Sequence, residues 1–180
     1  MTAYIKNKDG KFEDRTIEVL HAAVVAHYTK IGLYDHATPL KQKCYALTKA
    51  GETTKAVLIN DLPEIKDGIG DILVCVINWA HLEGVDFMGA YKTADIIKFP
   101  LDSDKLSLDI HATISGLGNL GIDISWLLQL LEKLANNYDL TLADCLGCAY
   151  DVVVKRKIKF LNGVAIKDAD WHKFPELAES

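Results

Sequence analysis

Basic residues are in short supply: 20 Lys and Arg stand against 25 Asp and Glu, a net charge of −5. A surface that grips nucleic acid through its phosphates needs the opposite balance, so a general nucleic-acid-binding role is excluded. Long apolar runs are missing too. None approaches the roughly 18 residues of a membrane-spanning helix, and no span is expected. The opening stretch "MTAYIKNKDGKFEDR" lacks the apolar centre of a signal peptide, so the expected location is cytoplasmic. No internal repeat, low-complexity stretch or interdomain linker is present. At 180 residues the chain suits one domain, 1–180, with a substantial core.

Several reactive arrangements are also lacking. "CLGC" (Cys145 and Cys148) has the C-x-x-C spacing of a redox or zinc half-site, but no second pair or suitably spaced His accompanies it. It lies inside an apolar helical run, so buried thiols are expected. "GLGNLG" lacks the G-K-[ST] ending and the preceding strand of a phosphate loop. No Ser-His-Asp or Cys-His set follows from spacing.

What remains is helical periodicity. "DRTIEVLHAAVVAHYTKIG" puts Ile17, Leu20, Val24 and His27/Tyr28 near one stripe, with Gly32 as a stop. A second helix is expected from about Leu40 to Leu58. A third starts at Asp61, Pro63 and Glu64 and ends near Gly84. Residues 85 to about 104 read as a loop or irregular insertion. Two further helices follow, the second capped by Asp123 or Ser125, and Thr141 with Asp144 has capping-box spacing. Near the end, Asn162-Gly163 between two β-prone runs signals a hairpin, and the last dozen residues read as a loose tail. The expected fold is all-α, a helical bundle with a small C-terminal β-hairpin.

Carboxylates gather on two of these helices. Glu64, Gly68 and Asp71 share a face of the third helix with Asp67 beside them, and Lys49 and Glu52 share a face of the second. Antiparallel packing would bring Glu52 towards Asp71. Oxygen-rich clusters of this kind hold Mg²⁺ or Mn²⁺ against a triphosphate. A solvated acidic helix start is the plainer reading, but Asp71 sits at the edge of an apolar run and needs a partner. His81, Trp79 and Tyr150 are expected in packing or surface roles rather than on a ligand.

The stretches "TKAGET" and "KDGIGD" resemble the paired E-x-x-E and E-x-x-D helices, written "EEAGEL" and "E(E/D)xGD", of the MazG-like all-α nucleoside triphosphate pyrophosphohydrolases, particularly the bacteriophage forms. "DLTLADCLGCAYDVVVKRKIKFLNGVAIKD" is similar to their ending. The resemblance covers about half of the chain and leaves an extra segment, about 85–137, between the matching halves. It implies cleavage of a (d)NTP to (d)NMP and pyrophosphate, with Mg²⁺ or Mn²⁺, in a homodimer or higher homo-oligomer in the cytoplasm, the host's for a phage protein. Glu52 and Asp71 match metal ligands, Glu64 or Asp67 would assist, and Asp151, Lys155 and Arg156 match positions on the substrate side.

The departures are specific. Lys49 replaces the first Glu, Gly68 replaces the Glu of E-x-x-D, Ile31 stands for a loop Arg, and Ile158 for a glycine. An ammonium about 4 Å from carboxylates is attracted by several kcal/mol at intermediate dielectric. Lys49 is therefore expected to act as an internal surrogate for the metal. The alternative to an altered but active pyrophosphohydrolase is an inactive member of the family that binds a nucleotide or a protein partner.

Overall fold

The computed structural model describes residues 4–6, 12–94, 97, 100–118, 123–161, 164–174 and 176. It is predominantly helical, as the periodicity predicts. Two short strands, β1 (Tyr4–Lys6) and β2 (Phe12–Asp14), pair antiparallel ahead of the first helix; nothing in the sequence pattern had indicated them. Then come α1 (Ile17–Lys30), α2 (Leu33–His36), α3 (Pro39–Leu58) and α4 (Leu62–Glu83). They are followed by α5 (Phe87–Thr93), α6 (Ser103–Gly116), α7 (Ile124–Asn136) and α8 (Leu142–Val153).

Caps punctuate the bundle. Asp61 accepts from the Glu64 amide to start α4, and Gly84, at φ 69°, ends it in the left-handed conformation that suits glycine. Asp123, not Ser125, caps α7. Thr141 and Asp144 form the expected capping box. The insertion read as irregular contains α5, whose N-cap Asp86 accepts from the Gly89 amide. At seven residues, with two glycine or alanine positions, it carries too little periodicity to stand out.

α4 is the axis of the molecule. It packs against α1, α3, α5, α7 and α8, and from Gly68 to Ala80 every residue except Cys75 is buried. A helix that is apolar on nearly all sides belongs in the interior. The segment 85–137 joins the same core: Leu106, Ile110, Ile114, Leu127 and Leu131 belong to one cluster with Ile69, Ile72 and Leu73.

Glycines set how closely the axis is approached. A Cβ on Gly70 would lie 2.1 Å from the Cys145 carbonyl oxygen of α8, and one on Gly68 would lie 2.3 Å from Thr53 Oγ1 of α3. Lys49 of α3 faces Asp71 of α4, and Thr53, one turn later on α3, faces the earlier Gly68. The two helices therefore run antiparallel.

The C-terminal hairpin pairs β3 (Ile158–Leu161) with β4 (Val164–Lys167). The expected Asn162-Gly163 turn lies outside the described residues. His36 stacks on Phe160 at 4.7 Å, seating the hairpin beside α2. The expected loose tail begins instead with a 3₁₀ turn, Asp168–Lys173. Trp171 Nε1 donates to the Ile166 carbonyl, and Lys159 Nζ lies 5.0 Å from the Trp171 ring.

Close packing at Gly70 predicts a large penalty for a single methyl group. Gly70→Ala meets a backbone carbonyl that no rotamer change relieves, and should lose roughly 1–3 kcal/mol of stability. Gly51→Ala, exposed on α3 with its nearest neighbour 3.8 Å away, should gain about 0.5–1 kcal/mol from helix propensity. Urea unfolding of the two variants checks the pair; equal effects would contradict the α4–α8 contact.

Candidate functional site

The acidic residues singled out on α3 and α4 meet as the antiparallel packing requires, through a cation. Lys49 Nζ lies 2.7 Å from Glu52 Oε2 and 2.9 Å from Asp71 Oδ2. Glu52 is one helical turn along α3 and largely exposed, whereas the Asp71 side chain is only 7% exposed. The partner that buried Asp71 needed is therefore Lys49. Burial alone would pull the Lys49 ammonium down, but its hydrogen bonds and charge interactions with Glu52 and Asp71 outweigh that and hold it above the ordinary lysine range. Burial, and then the neighbouring Asp71, push the Asp67 carboxyl above the usual carboxylate range.

Thr53 completes the seam. Its hydroxyl donates to the Lys49 carbonyl at 2.8 Å, and its side chain occupies the notch that a side chain at position 68 would need. A glycine at position 68, an ammonium at Lys49 and a threonine at position 53 thus meet at one point of the seam.

This donor set does not fit the Mg²⁺ or Mn²⁺ that the family resemblance implies. A hard divalent cation needs about six oxygen ligands, and the two carboxylates that face each other here already share an ammonium. Among the described residues, no group of three or more His, Cys, Asp or Glu side chains is placed to hold a metal ion. Glu64 is exposed at the start of α4, where it lines a separate cavity with Glu52, Lys55 and Asp61. Asp67 is half-buried beside Asp71.

On the other side of the Lys49–Asp71 pair lies a cavity of about 150 Å³. Its apolar wall includes Leu33, Val74, Val153 and Ile158, and its polar wall includes Tyr28, Gln42, Tyr45 and Asn78. Arg156 and Lys167 add two cations from the segment after α8 and from β4. Cys75 also faces the cavity, its thiol pushed up to about 12 chiefly by burial, so it is a packing group rather than a nucleophile.

Of the substrate-side residues expected from the sequence, Arg156 lines this cavity, while Lys155 is exposed and does not. Asp151 is engaged elsewhere. Its carboxylate receives both terminal nitrogens of Arg15, which also donates to the Gly147 carbonyl. The Arg15 hydrogen bond is the chief reason the Asp151 carboxyl sits below its usual range. That fork ties the chain ahead of α1 to α8.

The remaining candidates fall as the packing reading expects. Trp79 is buried in the core, and Cys145 is buried with its thiol raised to about 12 by burial. Cys148 and Tyr150 are half-buried. His81 packs its ring 4.1 Å from that of Tyr34. Gln42, Asn78, Tyr28 and Tyr34 were not singled out as site residues. Asn78 alone left a signal, as a polar residue inside the apolar run "LVCVINWA".

No family model, curated protein or solved structure matches the chain.

Removing the ammonium should expose the cost of the acids it holds. Lys49→Met leaves Asp71 buried without a partner beside Asp67, and should lose roughly 1–3 kcal/mol at neutral pH, less than a fully buried pair because Glu52 is solvated. Lys49 is also a cation that tempers the raised Asp67 carboxyl, so without it Asp67 binds protons still more tightly in the folded than in the unfolded chain, and stability returns as pH falls through its raised folded value. The deficit measured by urea unfolding should shrink between pH 7 and about pH 5. An equal deficit at both would contradict the assignment.

Proposed function

We propose that this protein is a metal-independent nucleotide-binding protein, built on the plan of the MazG-like pyrophosphohydrolases but with Lys49 in the role of the divalent cation. The observation that carries this reading is the position of Lys49 Nζ, 2.7 Å from Glu52 and 2.9 Å from Asp71. A lysine ammonium bridges two carboxylates as a metal does, although its single charge offsets only one of them. It offers no vacant coordination position at which to activate water or polarise a phosphoryl oxygen, the two services a catalytic metal supplies. Binding survives such an exchange and turnover does not. The adjoining cavity, with Arg156 and Lys167 on its wall, supplies the positive charge that a phosphate-bearing ligand needs.

A second reading is hydrolysis of a (d)NTP to (d)NMP and pyrophosphate by a shifted acidic set. Its support is that Glu64 and Glu52 line one cavity.

Two measurements decide between them. On the binding reading, nucleotides raise the melting temperature in EDTA, because a ligand selective for the native state stabilises it, and no pyrophosphate is released with Mg²⁺ or Mn²⁺. Pyrophosphate release that disappears in Glu52→Ala would support the hydrolase instead. A variant restoring the family acids must also make room for them. Lys49→Glu with Gly68→Glu should be poorly folded because of the 2.3 Å approach to Thr53 Oγ1, and adding Thr53→Ala should recover folding. Equal stability of the double and triple variants would show that Thr53 does not fill the vacated notch.

A further inference from the structure

Three large apolar side chains stand in solvent at the turn between α3 and α4. Leu58, Ile59 and Leu62 are 62%, 64% and 45% exposed, and among the described residues no other five-residue stretch exposes as many. Single exposed apolar residues are ordinary, whereas a contiguous patch rimmed by charge marks a contact surface. Beside the turn lies a groove whose apolar part is Ala56 and Ile59. Its rim sets Glu52, Asp61 and Glu64 against Lys55, three carboxylates to one ammonium and a net charge of −2.

The complementary occupant is apolar and basic, and the chain itself carries such a segment. At the end of α8, Val152 is 40% exposed, and Lys155 and Lys157 beyond it are exposed. Neither lysine forms a salt bridge among the described residues, and neither does the exposed Glu64.

These two surfaces occupy opposite ends of one face. α4 and α8 pack in parallel: a Cβ on Gly70 would meet Cys145 and Ala149, and further along Val74 and Asn78 share the cavity wall with Val153 and Arg156. Glu64 and Asp67 lie within one turn of α4. Burial, and then the Asp67 charge, push the Cys148 thiol up, which sets Cys148 beside Asp67. Cys148, Val152 and Lys155 follow one another at helical spacing on one stripe of α8 and its last turn. Glu64 and Lys155 are thus separated by roughly 20 Å along the helix axes, too far to pair within one chain.

We infer that a second copy of this chain covers the groove, in a two-fold dimer where the end of α8 of each copy lies in the α3–α4 groove of the other. Turning one copy end for end sets Lys155 and Lys157 against Glu64 and Asp61, and Val152 against Ile59 and Leu62, twice over. Like-end pairing would set acid against acid, so charge fixes the orientation. Both copies use the same patches and the contact closes on itself. It touches the exposed side of the Lys49 seam, through Glu52 on the groove rim, and does not depend on what the cavity holds.

Sedimentation velocity of the full chain tests the inference. The chain should dimerise as its concentration rises, and less so as salt is added. Glu64→Lys, Lys155→Glu and Ile59→Asp should each weaken the dimer about ten-fold or more, because each change acts twice by symmetry. All three positions are exposed, so the variants should keep their fold. Mixing Glu64→Lys with Lys155→Glu should recover the dimer, since one copy then carries bases at both contact positions and the other carries acids. A dimer indifferent to both charge reversals, no recovery on mixing, or growth into open chains overturns the inference. A chain monomeric at every concentration also overturns it and leaves the groove to a foreign basic partner.

Discussion

The seam between α3 and α4 depends on one ammonium. Lys49 sits between two carboxylates, and with it in place Asp71 can remain buried in the central helix. It bridges one oxygen of each carboxylate, and these charges would otherwise repel each other and Asp67. The consequence reaches beyond charge. One turn away, Thr53 lies in the notch above Gly68, so electrostatic pairing and close helix approach are set by neighbouring residues of the same two helices. A cation borrowed from solution comes and goes with its concentration; a lysine is present in every copy of the chain. What it cannot do is exchange a ligand.

That trade separates the two sides of the pair. Towards Glu52 the surface is wet and acidic, and towards Asp71 it opens into a cavity with a mixed wall. The acidic side resembles the chemistry that the motif spacing suggests. The cavity side holds the buried amides, the hydroxyls and the additional cations. The buried polar groups and additional cations lie on one side of Lys49 and the exposed carboxylates on the other.

Legibility in the sequence followed the physics of each signal. Helical periodicity, caps at Asp61, Asp123 and Thr141, and the stop at Gly84 are local properties, and the structure realises them. The pairing of Lys49 with Glu52 and Asp71 was legible because a charge at the edge of an apolar run demands a partner, and helical spacing left few choices. α5 escaped because seven residues give barely two turns of pattern. The Arg15–Asp151 fork spans most of the chain, and no local rule connects those positions. Gln42 looked like one more polar residue among lysines; only the packing of α3 against α4 shows that it faces inward. The cavity is a property of five separate segments, and none carries its outline alone.

The burial of α4 has a dynamic consequence. A helix surrounded from Gly68 to Ala80, except at Cys75, has no solvent-facing stripe along which to slide or tilt without breaking contacts on several sides. Its amides exchange with solvent only when the whole bundle opens. Asp71 and Asn78 are therefore the fixed floor of the cavity, while Lys167, from a two-stranded hairpin, and Arg156, from the link after α8, sit on segments with far fewer neighbours. Exchange of anything held there would involve that peripheral hairpin moving against a stationary base.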